Sequence, residues 1–350
     1  MAIEFYDIQG ALTVSVEAHS RTPLDRWLTT VPMELEYFRR KEPTAVDLAI
    51  EIGEFRPTLE RCLKSGDSTW VRPGYLYFEL RRKTARVRAD ISIQPGSPIR
   101  LRIDGNALGN HLSFGQVVEP VFSILLERSG LAKIHASGVA LDKRSSIFAG
   151  LGGSGKTTIA LELVKQGYEF LGDDALILRE DTVLPFPKWL HVFRYRLDHK
   201  TPFDESLSTR EKGITYLTWL LANSTFGYAK VFTFLRPGNR ELGLRISSAC
   251  PISNLFVLHP GGTEIKITEV SPSEAATYVA ANDMCELMPI LPALFAYAFV
   301  TPGADFGLSF EHHRALVESS LSRAHCYLAQ YPQVDRNVVQ SIVDIIGGSR

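Results

Sequence analysis

Cysteine is scarce in this sequence. Four occur among 350 residues, at Cys62, Cys250, Cys285 and Cys326, and no two form a CxxC pair. A structural zinc site or a disulfide framework therefore has little support, and four buried or free thiols in a reducing compartment are expected. An excess of charge of one sign is missing as well: Lys and Arg total 38, Asp and Glu 39, and the formal net charge is -1. Such a chain has no global basic field to gather nucleic acid or anionic lipid, so neither nucleic acid nor a membrane is expected as a partner. Long hydrophobic runs are also lacking. The most apolar stretch, residues 288–300, has about 13 residues against the roughly 20 that span a bilayer. The opening MAIEFYDIQGALTV has neither the basic start nor the continuous apolar stretch of a secretory signal. A cytoplasmic location is the expectation that follows. The sequence has no internal repeat and no low-complexity segment.

The composition, 45% hydrophobic and 22% charged, is that of an ordinary folded chain. The length suits two modest domains or one with a large extension. Residues 1–112 read as a β-rich N-terminal region. Runs at 11–16, 75–81 and 86–93 alternate apolar and polar residues with the period of half-buried strands. Arg72-Pro73-Gly74, Gln94-Pro95-Gly96 and Asp104-Gly105-Asn106 supply turns. A helix near 24–40 is limited by Pro32. The basic stretch Arg81, Arg82, Lys83, Arg86 and Arg88 reads either as a docking patch for an acidic partner or as the solvated faces of two hairpin strands with Thr84-Ala85 at the bend.

Residues 113–350 read as a catalytic domain of α/β type. Val117, Val118, Val121, Phe122, Leu125 and Leu126 recur at helical spacing up to Gly130. Strands at 133–141 and 145–149 follow, joined by Asp142-Lys143-Arg144. Then come a glycine-rich loop, a helix at 156–166 stopped by Gly167, and a strand at 168–171 leading into Gly172-Asp173-Asp174. Beyond these, 242–247 and 254–259 read as strands, and 271–281, 287–299, 312–322 and 335–346 as helices.

The octet Gly150-Leu151-Gly152-Gly153-Ser154-Gly155-Lys156-Thr157 fits the phosphate-loop pattern G-x-x-x-x-G-K-[ST] at every position. An apolar strand, SSIFA, precedes it and an amphipathic helix, TTIALELV, follows. Glycines let successive N–H groups point at phosphate oxygens at a helix N-terminus. The predicted nucleotide-binding set is therefore Gly150, Gly152, Gly153, Ser154, Gly155, Lys156, Thr157 and Thr158. Lys156 reaches the β- and γ-phosphates, and the Thr157 hydroxyl ligates magnesium. ATP and Mg2+ are the expected ligands. Asp173-Asp174 offers two carboxylates at a strand end, one able to serve the metal while the other accepts a proton from an attacking hydroxyl. Successive residues leave an extended strand in opposite directions, so only one faces the site if the strand continues. His135, in KIHASGVAL, is on pattern alone more often a hydrogen-bonded core residue than a participant.

Taken together, IHASGVAL followed by GLGGSGKTTIALELVKQGYEFLGDD resembles the HPr kinase/phosphorylase group and its serine-kinase-like relatives. The matching pieces are His135, the glycine loop, Ala160-Leu161-Glu162-Leu163, Gly167-Tyr168 and Asp173-Asp174, within about residues 131–178. The resemblance implies a P-loop kinase core with a mixed sheet, akin to that of phosphoenolpyruvate carboxykinase. It also implies catalytic roles for Asp173, His135 and Lys156. Asp173 would be the general base toward a serine hydroxyl, with His135 biasing its protonation; Asp174 and Thr157 would hold the metal. The chain departs from the bifunctional members after the double Asp. Where those carry a Glu-Ile-Arg-Gly-type segment, this sequence has PFPKWLHVFRYR, basic and aromatic. That puts the reverse, phosphorolytic activity in doubt. Lys188 and Arg194 in that segment are either contacts for the phosphoryl group or an acidic acceptor, or simple surface charge.

The expected activity is transfer of the γ-phosphoryl group to a serine-type hydroxyl of a protein or peptide. The alternatives are a small-molecule kinase of the same fold, acting on an amino acid or sugar, and a non-catalytic nucleotide-binding regulatory or assembly protein. The N-terminal region is open to three roles: docking a partner, building a homo-oligomer interface, or completing the core.

Overall fold

The computed structural model describes residues 3–19, 28–41, 45–192, 209–224, 233–235, 244–301 and 309–348. The protein is mixed α/β, with two large mixed sheets. The chain divides into two compact units. One comprises Met1–Ser129, Leu220–Val231 and Glu286–Gly307; the other comprises Gly130–Trp219, Phe232–Cys285 and Leu308–Arg350.

The first unit is built on β1 (Glu4–Ile8), β2 (Leu12–Ala18), β3 (Arg39–Arg40), β4 (Leu48–Ile52), β5 (Leu63–Ser65), β6 (Thr69–Arg72), β7 (Tyr75–Arg82), β8 (Ala85–Ser92) and β9 (Ile99–Gly105). They form one sheet in the order β3-β1-β2-β4-β9-β8-β7-β6-β5. The pairs β2–β4 and β4–β9 are parallel and the rest antiparallel. Register follows the hydrophobic alternation: Val14 lies opposite Leu48, and Ile50 opposite Leu101, all fully buried. A slip of one residue would turn that apolar face to water.

The predicted helix near 24–40 is much shorter among the described residues. Helix α1 (Val31–Glu34) carries Pro32 in its first turn and gives way to a 3-10 turn at Glu36–Phe38. Residues 24–27 of that expectation lie outside the described residues. The basic stretch forms the β7–β8 hairpin, with Lys83-Thr84 at the bend rather than Thr84-Ala85. Arg81, Arg82, Lys83 and Arg86 are exposed there.

After β9, Asn106 caps α2 (Ala107–Ser113) by accepting the Gly109 N–H at 2.8 Å. A side chain at Gly109 would bring Cβ within 2.0 Å of the Arg86 carbonyl oxygen, so this helix reaches the sheet only through a glycine. One π-helical turn, Phe114–Val118, links α2 to α3 (Glu119–Arg128). The apolar run read as a single helix up to Gly130 is thus two consecutive segments, the π turn and α3, with α2 before them not expected.

The second unit opens with β10 (Ala132–Ile134), β11 (Ala136–Leu141) and β12 (Arg144–Ala149), then α4 (Lys156–Lys165), β13 (Glu169–Gly172), β14 (Leu176–Arg179), β15 (Thr182–Leu184) and β16 (Leu190–Val192). The chain continues through α5 (Thr209–Ser224), which passes into the first unit at Leu220, then β17 (Thr233–Leu235), β18 (Cys250–Pro260), β19 (Lys266–Val270) and α6 (Pro272–Leu287), whose last two residues belong to the first unit. Helix α7 (Leu291–Val300) packs on β6 and β7 in the first unit. The second unit is completed by α8 (Phe310–Ser320), β20 (His325–Tyr331) and α9 (Arg336–Gly348). Among the described residues, no single helix is long and apolar enough to cross a membrane.

The predicted strand at 133–141 is split at His135. On its N-terminal side β10 pairs with β14, and on its C-terminal side β11 pairs with β12 and β13. The chain changes neighbours there, and the ladder cannot run through. A second difference falls at 242–247: among the described residues this segment makes only an isolated bridge, Ile246 to Phe170. β19 and β20 were not foreseen. β20 nevertheless extends the centre of the sheet, where β12, β18 and β20 run parallel.

Those three strands are buried on both faces, as expected where helices cover a parallel sheet. Ile147, Leu255 and Val257 pack with Ala275, Ala276, Val279, Val317 and Leu321 of α6, α8 and the residue after α8. Phe148, Phe256 and Leu258 pack on the other side with Ile159, Leu163, Val339 and Ile342 of α4 and α9. Phe148, Phe256 and Tyr327 stack across the strands, with ring centres 5.6 and 5.0 Å apart. Since β12, β18 and β20 are parallel, their carboxyl ends share one edge, and the glycine loop leaves β12 there. Such an edge is where open α/β sheets carry their ligand sites.

Two predictions follow from this packing. In the first unit, Asp90 is fully buried, accepts both N–H groups of the Arg102 fork and the Tyr75 hydroxyl at 2.8 Å, and holds Arg102 over the Phe55 ring. Asp90→Ala strands the guanidinium and should cost about 3–5 kcal/mol in urea unfolding. The four cysteines are free thiols; burial pushes Cys250 up to about 11 and Cys326 up to about 12, whereas Cys285 is exposed. Alkylation of the folded protein in mildly alkaline buffer, read by mass spectrometry, should modify Cys285 and spare Cys250 and Cys326.

Candidate functional site

The glycine loop turns between β12 and α4 through residues that a side chain would obstruct. Gly155, the residue before α4, sits at φ 91°, and a Cβ there would lie 2.1 Å from Val334 Cγ2. Behind the loop, the fully buried Tyr331 at the end of β20 donates its hydroxyl to the Ser154 carbonyl at 2.6 Å. The end of β20 therefore fixes the loop by a hydrogen bond, and Val334 in the turn after it fills the space beside Gly155. Ser154 is 1% exposed, and its hydroxyl oxygen has no hydrogen-bond partner among the described residues.

Lys156 begins α4 and is 5% exposed. Its ammonium group lies 2.6 Å from the Gly150 carbonyl, 3.3 Å from the Leu151 carbonyl and 3.1 Å from His135 Nε2. His135 Nδ1 is 3.0 Å from the Asp174 carbonyl oxygen. An ammonium only donates and a carbonyl only accepts, so the proton of the His135 ring sits on Nδ1 and the lone pair on Nε2. His135 is thus a polar junction between the loop lysine and the double Asp.

The two carboxylates lie in different surroundings. Asp173, 4% exposed, has both oxygens 2.9 Å from the Thr157 hydroxyl, and Ser137 also donates to it. Burial raises the Asp173 carboxyl above the ordinary range and the neighbouring Asp174 charge adds to this, against the hydroxyls of Ser137 and Thr157 and the charge of Lys156. Asp174 takes φ 60°, a left-handed conformation, so the chain stops being extended at this residue. Its side chain is 28% exposed and lies 4.0 Å from His135 Nε2 and 3.9 Å from His191 Nδ1. Burial would push Asp174 up as well, but Lys188, then His135, His191 and Lys156, outweigh it and hold the carboxyl well below the usual range.

Of the residues singled out from sequence, His135, Lys156, Thr157, Asp173 and Asp174 converge. Gly150, Gly152, Gly153, Ser154 and Gly155 form the loop, and Thr158 lies half-buried in the first turn of α4. Thr157 meets Asp173, not Asp174. Lys188 is 3% exposed, which removes it from surface charge; Arg194 lies outside the described residues. Sequence reasoning did not pick out Ser137, His191 or Tyr331. The basic character of the segment after the double Asp was the available signal for His191; nothing local marks Tyr331, whose role depends on β20 reaching the loop.

Chemically, Thr157 and Asp173 present hard oxygen donors beside a lysine at a helix N-terminus. Magnesium commonly takes only one or two carboxylates and shares the rest of its shell with substrate phosphates and water. Among the described residues no cluster of three or more His, Cys, Asp or Glu is placed to hold a metal by protein groups alone.

Tyr331→Phe should lower stability by about 1–2 kcal/mol in thermal unfolding, because the buried Ser154 carbonyl loses its donor while the aromatic packing stays. Compared with models of known protein families and with curated protein sequences, the chain matches none.

Proposed function

We propose that the glycine loop is a P-loop and that the protein is a magnesium-dependent phosphotransferase of the HPr-kinase-like type. In this reading it moves the γ-phosphoryl group of ATP to a serine-type hydroxyl of a protein or peptide. The observation that carries the reading is the contact of the Thr157 hydroxyl with Asp173, next to Lys156 and with a second, more exposed carboxylate beside it. A loop threonine, a strand-end aspartate and a lysine are the parts that P-loop phosphoryl transfer uses for metal and phosphate.

The geometry favours a division of labour opposite to the one the family resemblance implies. Thr157 and Asp173 would hold magnesium, which supplies charge neutralisation on the phosphate oxygens. Asp174, half-buried but more accessible than Asp173 and flanked by His135 and His191, is the carboxylate an incoming hydroxyl reaches. It takes the hydroxyl proton as the acceptor oxygen bonds to phosphorus and the bond from phosphorus to the bridging oxygen breaks. Ionised, this carboxylate is free to accept that proton. Lys156 exchanges a loop carbonyl for a phosphate oxygen, and Lys188 keeps Asp174 ionised.

The test is transfer of labelled γ-phosphate to candidate acceptor proteins and peptides, read alongside nucleotide binding. Asp174→Asn should lower transfer by about 10²–10⁴-fold with magnesium-dependent binding retained. Asp173→Asn should weaken that binding, and Lys156→Ala should abolish both. Wild-type protein that binds nucleotide and transfers nothing, or an Asp174→Asn variant with wild-type turnover, would overturn the assignment.

A further inference from the structure

His135 stands where the strand breaks, so its backbone N–H and C=O leave the sheet ladder together. Buried backbone groups of this kind need other partners. Helix α6 supplies both. Asp283 Oδ1 accepts the His135 N–H at 2.7 Å, and Asn282 Nδ2 donates to the His135 carbonyl at 3.2 Å. The second carboxylate oxygen of Asp283 lies 2.8 Å from His313 Nε2 on α8, and the two side chains are 7% and 1% exposed. A carboxylate oxygen accepts, so His313 Nε2 carries the proton. Two consecutive residues of one helix thus grip one residue of the sheet, and a second helix locks the grip.

We propose that Asn282, Asp283 and His313 form a buried bracket that sets the plane and tautomer of the His135 ring. They are positioning residues, acting through His135 on Lys156 and Asp174. The argument is geometric. The ring can serve Lys156 with Nε2 and the Asp174 carbonyl with Nδ1 only while its own backbone is fixed at the break. Asp283 lies far from Lys156 in sequence, so this dependence joins the C-terminal helices of the unit to the loop. The catalytic consequence rests on the phosphoryl-transfer reading; the effect on the ring does not.

The experiment uses the full chain labelled with 15N-histidine and reads the His135 ring nitrogens at alkaline pH, together with kcat and KM for transfer. Wild type should show the Nδ1-protonated tautomer, and so should Asp283→Asn, which keeps an oxygen for the His135 N–H and donates its amide to His313 Nε2 once that ring's proton moves to Nδ1. Asp283→Ala should lose that signature and drop kcat by about 10- to 100-fold, the scale of a small misplacement of reacting groups. Should Asp283→Ala not fold, His313→Leu carries the test with the same readouts, and His313→Gln, which keeps a donor toward Asp283, should restore them. A wild-type ring signature in Asp283→Ala or His313→Leu would overturn the bracket, as would an Asp283→Asn variant as impaired as Asp283→Ala. The ring spectrum needs no turnover, so a wild-type protein that transfers no phosphate would remove the kinase reading and leave the bracket tested on its own.

Discussion

The second unit is organised around a short contact between a hydroxyl and a carboxylate. Thr157 on the first turn of α4 and Asp173 after β13 meet with both carboxylate oxygens at 2.9 Å, in a place where Asp173 is almost wholly buried. An ionised carboxylate is costly to bury unless hydrogen-bonded, and Ser137 on β11 supplies a second hydroxyl. For three elements to deliver these groups to one point, β11 must lie between β12 and β13, as it does in the sheet. The strand order and the site are therefore one constraint. The stacked rings of Phe148, Phe256 and Tyr327 hold the neighbouring parallel strands in the same register, which keeps their ends, and the loop that leaves them, aligned.

Around that contact the charges are sorted rather than pooled. Two adjacent aspartates would repel each other if both pointed into one cavity. The left-handed turn at Asp174 separates them, giving one to hydroxyl groups and the other to Lys188, His135 and His191. Environments that push two carboxylates apart are a recurrent way to give them different tasks. The His135 ring lets a lysine and a main-chain carbonyl share one bridging group. The buried Lys188 supplies a cation that offsets the charge of Asp174.

Much of the architecture was legible because it is local. The alternating runs became β2, β7 and β8, the phosphate-loop octet lies between a strand and a helix, and the last helix carries its apolar stripe at Val338, Val339, Ile342 and Ile346. The misreadings share a cause. The strand at 133–141 looked continuous because periodicity reports which face is apolar, not which neighbour pairs; the switch at His135 is a property of β14, β12 and β13. The segment 107–113 hid a helix because its start depends on one Asn106 cap and its docking on a glycine against the Arg86 carbonyl. β20 went unrecognised because its pattern is mixed, and only its place between β18 and β19 makes it a strand.

The sequence by itself determined the loop chemistry: glycines where positive φ and close approach are needed, a lysine and a threonine after them, and two carboxylates one strand later. Those choices are set by backbone stereochemistry and by the functional groups themselves, which act over a few residues. Only the tertiary structure decided which aspartate meets Thr157, what holds His135, and what stands behind Gly155 and Ser154. These depend on one backbone angle at Asp174 and on groups from β20, α6 and α8. Side chains so distant in sequence meet only once the sheet has paired, and no local pattern encodes that pairing.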